Sequence, residues 1–328
     1  MNDGLIKEIN VNNIDLKTIE GYREPLIIKG AIKNHKKLHK WDFGYLKKVI
    51  GNNSINYSKS KNEVFPDLND LNSLFIKSTF SDYLDKISND SKSESFFLSG
   101  DSTCLYSHGK FNKSFDAINK DITVPSFIQH RYLDKIGLWI SRKGIKSSLH
   151  YDSNGCHNYN IQIRGKKIVR LISPQEYYKL YFAPFTNHLS FFNFSPIDME
   201  NINVEKYPAI KDIKYIEGTI EEGDAIYFPQ FWHHYFNHTG DLNINLNFWW
   251  QSKEVVVNPT SINWLLINLA AQMISTNHPI LPNALRERLD NEKNNKQKDI
   301  YFEEESVLKF CNEVSKIIKT WKIGIPLD

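Results

Sequence analysis

Cysteine is scarce in this chain. Cys104, Cys156 and Cys311 are far apart and odd in number, so they make no disulfide framework and suit a reducing compartment. No Cys pair exists, and His108, His130, His157, His188 and His238 lack paired spacing, which argues against a structural zinc site. There is no run of eighteen apolar residues, so no membrane span is expected. The opening Met1-Asn2-Asp3-Gly4-Leu5-Ile6-Lys7-Glu8 lacks the apolar stretch of a signal peptide. Together these absences predict a soluble, cytoplasmic protein. Charge of one sign is also missing: 41 Lys and Arg against 38 Asp and Glu leave +3, and the lysines are spread along the chain, so a nucleic-acid partner is not expected. A Gly-rich phosphate loop, a nucleophile elbow, an internal repeat and a linker rich in Gly, Pro and Ser are absent as well.

What the chain has in quantity is aromatic surface. Its 20 Phe, 16 Tyr and 7 Trp favour strands and wide packing faces, and 328 residues can bury a sizeable core. The first 60 residues read as mixed. Glu24 to Gly30 predicts a short strand, and Lys40 to Gly51 a helix with Asp42 able to cap it. Residues 70 to 90 carry apolar side chains at helical spacing, and Phe96-Phe97-Leu98 suits a buried strand.

From Ile136 to Trp250 the pattern becomes short strands between turn residues, the mark of a barrel or sandwich. Eight are expected: Gly137 to Ser141, Ser148 to Asp152, Asn158 to Arg164, Lys167 to Ile172, Ile213 to Ile216, Ala225 to Phe228, His234 to His238 and Asn243 to Trp249. The aromatic stretch from Pro174 to about Lys211 predicts an insertion packed over one end of that barrel. Two strands alternate unusually. Asn158, Asn160, Gln162 and Arg164 oppose Tyr159, Ile161 and Ile163, while Asn243, Asn245 and Asn247 oppose Ile244, Leu246 and Phe248. The polar face belongs either to solvent or to a wet interior that lines a site.

Beyond Trp250 the signal is helical. Segments Asn263 to Ile274 and Glu303 to Trp321 are expected as helices, and the first is apolar nearly all round. Either they pack on the barrel or they form a homodimer contact. The domain reading is therefore a catalytic domain at 1–255 and a C-terminal helical region at 256–328.

The chemistry centres on Ser147-Ser148-Leu149-His150-Tyr151-Asp152. Alternation along a strand puts His150 and Asp152 on one side, where they can offer an imidazole and a carboxylate to one metal ion. A second imidazole is available about eighty residues on, in Gly223-Asp224-Ala225-Ile226-Tyr227-Phe228-Pro229-Gln230-Phe231-Trp232-His233-His234. Two His and one carboxylate on one face of an octahedral ion form the facial arrangement of non-haem Fe(II) oxygenases. His233 and His234 face opposite ways, so only one of them can join.

The stretches His150-Tyr151-Asp152, Asn158 to Lys167, Gly223 to Tyr235 and Asn245-Leu246-Asn247-Phe248-Trp249 occur in order and at sensible spacing. In them the chain resembles the cupin-like branch of the JmjC oxygenases, and is similar in pattern to the asparaginyl hydroxylase acting on hypoxia-inducible factor. The resemblance covers about a third of the chain. It implies a mainly β double-stranded β-helix (jelly roll) with N-terminal α/β elements. It also implies Fe(II), O2 and 2-oxoglutarate as cofactors and cosubstrates, with decarboxylation to succinate coupled to hydroxylation of an unactivated C–H bond. By the same resemblance the ligand His lies five residues after Pro229, which selects His234, with His233 where family members usually carry an aromatic residue. Lys167 would meet the far carboxylate of 2-oxoglutarate, with Ser147 and Tyr106 as hydroxyl donors to it. Asn158 and Asn247 match amides beside the cosubstrate, and Trp249 an aromatic on the substrate side. The resemblance favours a peptide or protein side chain as substrate. A small molecule, a natural-product intermediate and a tRNA base are the alternatives, and lysine demethylation is less favoured because demethylases often carry Glu where Asp152 stands. A metal-binding cupin without turnover is the reading from a different class.

Overall fold

Two large β-sheets face each other, and the chain crosses repeatedly between them. The computed structural model describes residues 2–60, 62–66, 75–89, 95–152, 155–182 and 193–251. The first sheet runs Asn2–Leu5 (β1), Tyr215–Ile220 (β14), Lys167–Ile172 (β13), His233–His238 (β16), Lys146–His150 (β11), Val64–Phe65 (β5). The second runs Lys7–Asn10 (β2), Leu26–Lys29 (β3), Ala225–Phe228 (β15), His157–Arg164 (β12), Leu242–Trp250 (β17), Leu133–Arg142 (β10), Cys104–Ser107 (β8), Lys110–Phe111 (β9). A small third sheet orders Phe75–Thr79 (β6), Ser54–Ser60 (β4) and Ser95–Phe97 (β7). From β10 onward the chain changes sheet at almost every strand; β13 and β14 are the one consecutive pair that stays together. The result is a mainly β architecture with few helices among the described residues.

Each of the eight strands expected between 136 and 250 is present, Lys167–Ile172 and Ala225–Phe228 with the expected ends and the others with shifted ones. β14 covers Tyr215–Ile220 rather than 213–216. β11 stops at His150, because the Tyr151 N–H leaves the ladder to donate to the Asn193 carbonyl at 3.1 Å. Asp152 therefore lies just past the strand instead of within it. In the N-terminal part, Asp42 caps the helix Phe43–Ile50 (α1) by accepting from the Tyr45 N–H at 2.7 Å. The helix expected over 70–90 begins only at Phe80 (α2, Phe80–Ser88), where Thr79 accepts from the Asp82 N–H. Phe75–Thr79 instead pairs antiparallel with β4, since an open ladder edge overrides a weak helical periodicity.

Between the sheets, Val169, Leu171 and Phe236 meet Ile27, Ile226 and Phe228. Tyr159, Ile161, Ile163, Ile244, Leu246 and Phe248 face outward from the second sheet and pack with residues of the N-terminal region such as Trp41, Leu46, Tyr83 and Leu84. That region thus makes the outer face of the sheet apolar and buried, and leaves the inner face to the polar residues. The described parts of the insertion after Pro174 cover the outer face of the first sheet, where Leu180, Tyr181, Phe182 and Met199 pack with Leu149, Tyr151, Ile172 and Tyr235, and they return to the cavity at Asn193 and Phe194. In the turn that carries the chain from β12 to β13 in the other sheet, Gly165 has φ +82°, and a Cβ there would sit 2.3 Å from the Leu242 carbonyl oxygen. No helix among the described residues is long and apolar enough to cross a membrane. The two helices expected beyond Trp250, and the dimer contact they would form, fall outside the described residues.

Candidate metal centre and its cavity

Asn158, Asn160, Asn245 and Asn247 of the two alternating strands are buried and turned inward, and they line a cavity of about 370 Å³ between the sheets. Its walls bring together Ser147, His150, Asp152, Asn158, Lys167, His234, Asn247 and Trp249 from five separate stretches of chain. Tyr106 is not brought there. It is paired with Ile136 on β8 and sits in the apolar core with its ring edge-on to Phe111.

One end of the cavity is a cluster of ligand atoms. His150, Asp152 and His234 each offer one donor atom, all within 4.8 Å of one another. His150 and His234 are opposite each other in the β11–β16 ladder, beyond a register shift that follows Ser147. Each ring turns Nδ1 to a backbone carbonyl: His150 to Ser148 at 2.7 Å, His234 to Trp232 at 3.0 Å. A carbonyl only accepts, so Nδ1 carries the proton and Nε2 presents its lone pair. Asp152 is held as firmly. Its Oδ2 accepts from Trp249 Nε1 at 2.9 Å and from Asn158 Nδ2 at 3.0 Å, while Oδ1 lies 3.8 Å from His234 Nε2. Behind it, Asn245 Nδ2 donates to Asn247 Oδ1 at 2.7 Å, and Asn247 Nδ2 to Asn158 Oδ1 at 3.4 Å. The amides are thus aligned head to tail toward the carboxylate.

Burial and the neighbouring His234 push the His150 imidazole down to about 3, against the opposing pull of Asp152. Burial likewise lowers His234. Two neutral imidazoles with free Nε2 atoms and an oriented carboxylate are what a divalent metal requires of its ligands. The residues present therefore fit such an ion.

His233 faces the other way. It is opposite Ile172, its Nδ1 lies 3.2 Å from the Ile172 carbonyl, and its ring stacks on Phe182 with centroids 5.1 Å apart. It belongs to the packing beneath the insertion, not to the cavity.

Lys167 occupies the other part of the cavity. It is 1% exposed, with Nζ 3.2 Å from Asn160 Oδ1 and 4.6 Å above the centre of the Phe236 ring. No carboxylate among the described residues pairs with it, and burial pushes it down to about 7.

Sequence reasoning missed several residues here. Phe194 returns from the insertion to stack on His150, with centroids 4.7 Å apart and planes 15° from parallel. Asn160 and Asn245 were visible as members of the polar faces, and parity with Asn158 and Asn247 would have placed them. His238 lies two steps beyond His234 on its face of β16, and the same parity would have found it.

A family model described as Cupin-like domain matches residues 12–255. The "Lysine-specific demethylase JMJ30" of Arabidopsis thaliana is 25% identical over 232 residues, 70% of this chain and 50% of the relative. The "JmjC domain-containing protein D" of Dictyostelium discoideum is 40% identical over 100 residues, 30% of this chain and 21% of the relative. The "tRNA wybutosine-synthesizing protein 5" of Gallus gallus is 26% identical over 246 residues, covering 72% and 73% of the two chains. The chain spans half or less of the length of the Arabidopsis and Dictyostelium relatives.

Proposed function

The chain belongs to the cupin-like JmjC family, and from that premise we propose that it is an Fe(II)- and 2-oxoglutarate-dependent oxygenase that hydroxylates an unactivated C–H bond. The sheet-to-sheet alternation of β10 to β17 supports reading the fold as a double-stranded β-helix. The observation that carries the functional reading is a single cavity with two oppositely equipped regions. Three convergent ligand atoms stand in one, and a buried ammonium without a carboxylate stands in the other.

In this reading His150, Asp152 and His234 hold the metal. Iron, when bound there, supplies a centre that activates O2 with electrons drawn from the cosubstrate. The rest is the work of the chain. Lys167 receives the far carboxylate of 2-oxoglutarate, where charge-assisted hydrogen bonding is strong because water is excluded. Ser147 lines the same cavity and adds a hydroxyl. Asn158 and Trp249 keep Asp152 in one orientation, so that its other oxygen is presented to the metal. Tyr106 has no part in it.

A peptide or protein side chain is the substrate class we favour. The mouth holds Trp249 under Lys135, with Nζ 5.5 Å from the ring centre, and Asp101 paired to that lysine, a polar and aromatic rim suited to a chain laid across it. The names of the relatives keep methylated lysine and tRNA in the test.

Anaerobic titration of the apo-protein with Fe(II) and 2-oxoglutarate tests the class. A visible charge-transfer band is expected; metal binding with no such band would favour the non-catalytic cupin. Incubation with peptide pools, methyl-lysine peptides and tRNA, read by mass spectrometry, separates gain of one oxygen from loss of a methyl group.

A further inference from the structure

His238 is fully enclosed yet lines the cavity, and the triad gives it no task. It stands opposite Lys167 in the β13–β16 ladder, and on β16 it shares the inward face with His234 and Phe236. Its ring is fixed on two sides. The hydroxyl of the fully buried Ser141 is hydrogen-bonded to Nδ1, and the ring of Phe97 meets it at 85° with centroids 6.1 Å apart. Ser141 engages one ring nitrogen, which leaves Nε2 as the nitrogen that can serve the cavity. Burial, and the charge of Lys167 beside it, hold the imidazole well below its ordinary value, so it is neutral. A neutral ring has one proton. When the Ser141 hydroxyl donates to Nδ1, that proton is on Nε2.

We propose that His238, oriented by Ser141, is a second cosubstrate-binding group that donates a hydrogen bond from Nε2 to the far carboxylate of the dicarboxylate held by Lys167. It supplies the donor that the resemblance assigned to Tyr106, which lies in the apolar core instead. The inference rests on the proposed 2-oxoglutarate dependence, and it explains two features at once. A histidine and a serine are buried together where the cavity wall meets the apolar cluster of Phe65, Phe97 and Ile145, and the lysine opposite them has one amide oxygen as its hydrogen-bond acceptor. An anion with two oxygens can be shared between the ammonium and the imidazole.

The test is calorimetric binding of 2-oxoglutarate to the Mn(II)-loaded full chain, with steady-state kinetics alongside. His238→Leu keeps bulk but removes the donor. It is expected to weaken binding, and raise KM, by about 10- to 100-fold, the loss typical of a hydrogen bond to a charged group, with kcat nearly unchanged. His238→Gln, whose amide can donate, should recover most of the affinity. Ser141→Ala should fall between, and should shift the nitrogen-15 resonances of His238 toward mixed tautomers. If wild type binds 2-oxoglutarate and His238→Leu binds it equally well, the role of His238 is overturned and the cosubstrate reading stands. If wild type with metal binds no 2-oxoglutarate, both are overturned. A protein in which His238→Leu fails to fold leaves the decision to His238→Gln and Ser141→Ala, where unchanged affinity and unchanged resonances overturn it.

Discussion

His150 and His234 are held by the same local device: in each, Nδ1 faces the backbone carbonyl two residues earlier in the chain, Ser148 in one case and Trp232 in the other. Each strand thereby fixes the tautomer of its own ligand, and the pairing of the strands brings the rings to 4.1 Å between centroids. The two imidazoles are prepared before any metal arrives.

Removing the carboxylate should therefore be decisive. Asp152→Ala is expected to abolish metal-dependent conversion of 2-oxoglutarate to succinate while leaving the far-ultraviolet circular dichroism unchanged. Retained turnover would sink the triad assignment.

The two adjacent histidines should separate cleanly. His234→Ala should be inactive and lose metal. His233→Ala should keep metal and activity but lose about 2–4 kcal/mol of stability in a denaturant titration, because it vacates a buried ring site against Phe182. The reverse pattern would move the ligand by one residue.

Trp249→Phe keeps the ring and deletes only the N–H that reaches Asp152 Oδ2. Loss of such an outer partner typically costs about 10- to 100-fold in metal affinity. Competition with a chelator of known affinity measures it, and an unchanged affinity would show that Asn158 alone orients the carboxylate.

Acidity should control cosubstrate affinity through Lys167. Burial pushes its ammonium down to about 7, so it is charged below that pH and neutral above it. A bound dicarboxylate needs the charged form. Affinity should be full below about pH 7 and fall roughly tenfold per unit above it, until the higher pKa of the complex is passed. Lys167→Arg, charged throughout, should flatten the profile between about pH 6 and about pH 9. A flat wild-type profile would contradict the argument.

Much of this site was legible because strand parity is rigid. One register places Asn158 with Asn160 and Asn245 with Asn247, and the opposite face of those strands had to be core. The Gly223 to His234 motif made the second imidazole visible. What stayed hidden depends on contacts between distant segments. Phe194 on His150 requires the path of the insertion, and Ser141 on His238 requires the closure of β10 against β16 from different sheets. Residues 75–79 misled for a related reason: their apolar pattern allowed a helix, and only the free edge of β4 made them a strand. For Tyr106 a local match stood in for a position in space, and the ladder with β10 put it elsewhere.

The pairing of His150 with His234 joins points separated by about eighty residues of chain. During synthesis, everything up to the end of β15 can be complete and still offer only two of the three ligand side chains. A metal taken up by all three ligands would therefore be captured only at the last stage of assembly, when β16 slots between β11 and β13. Bound metal thus reports a finished sheet.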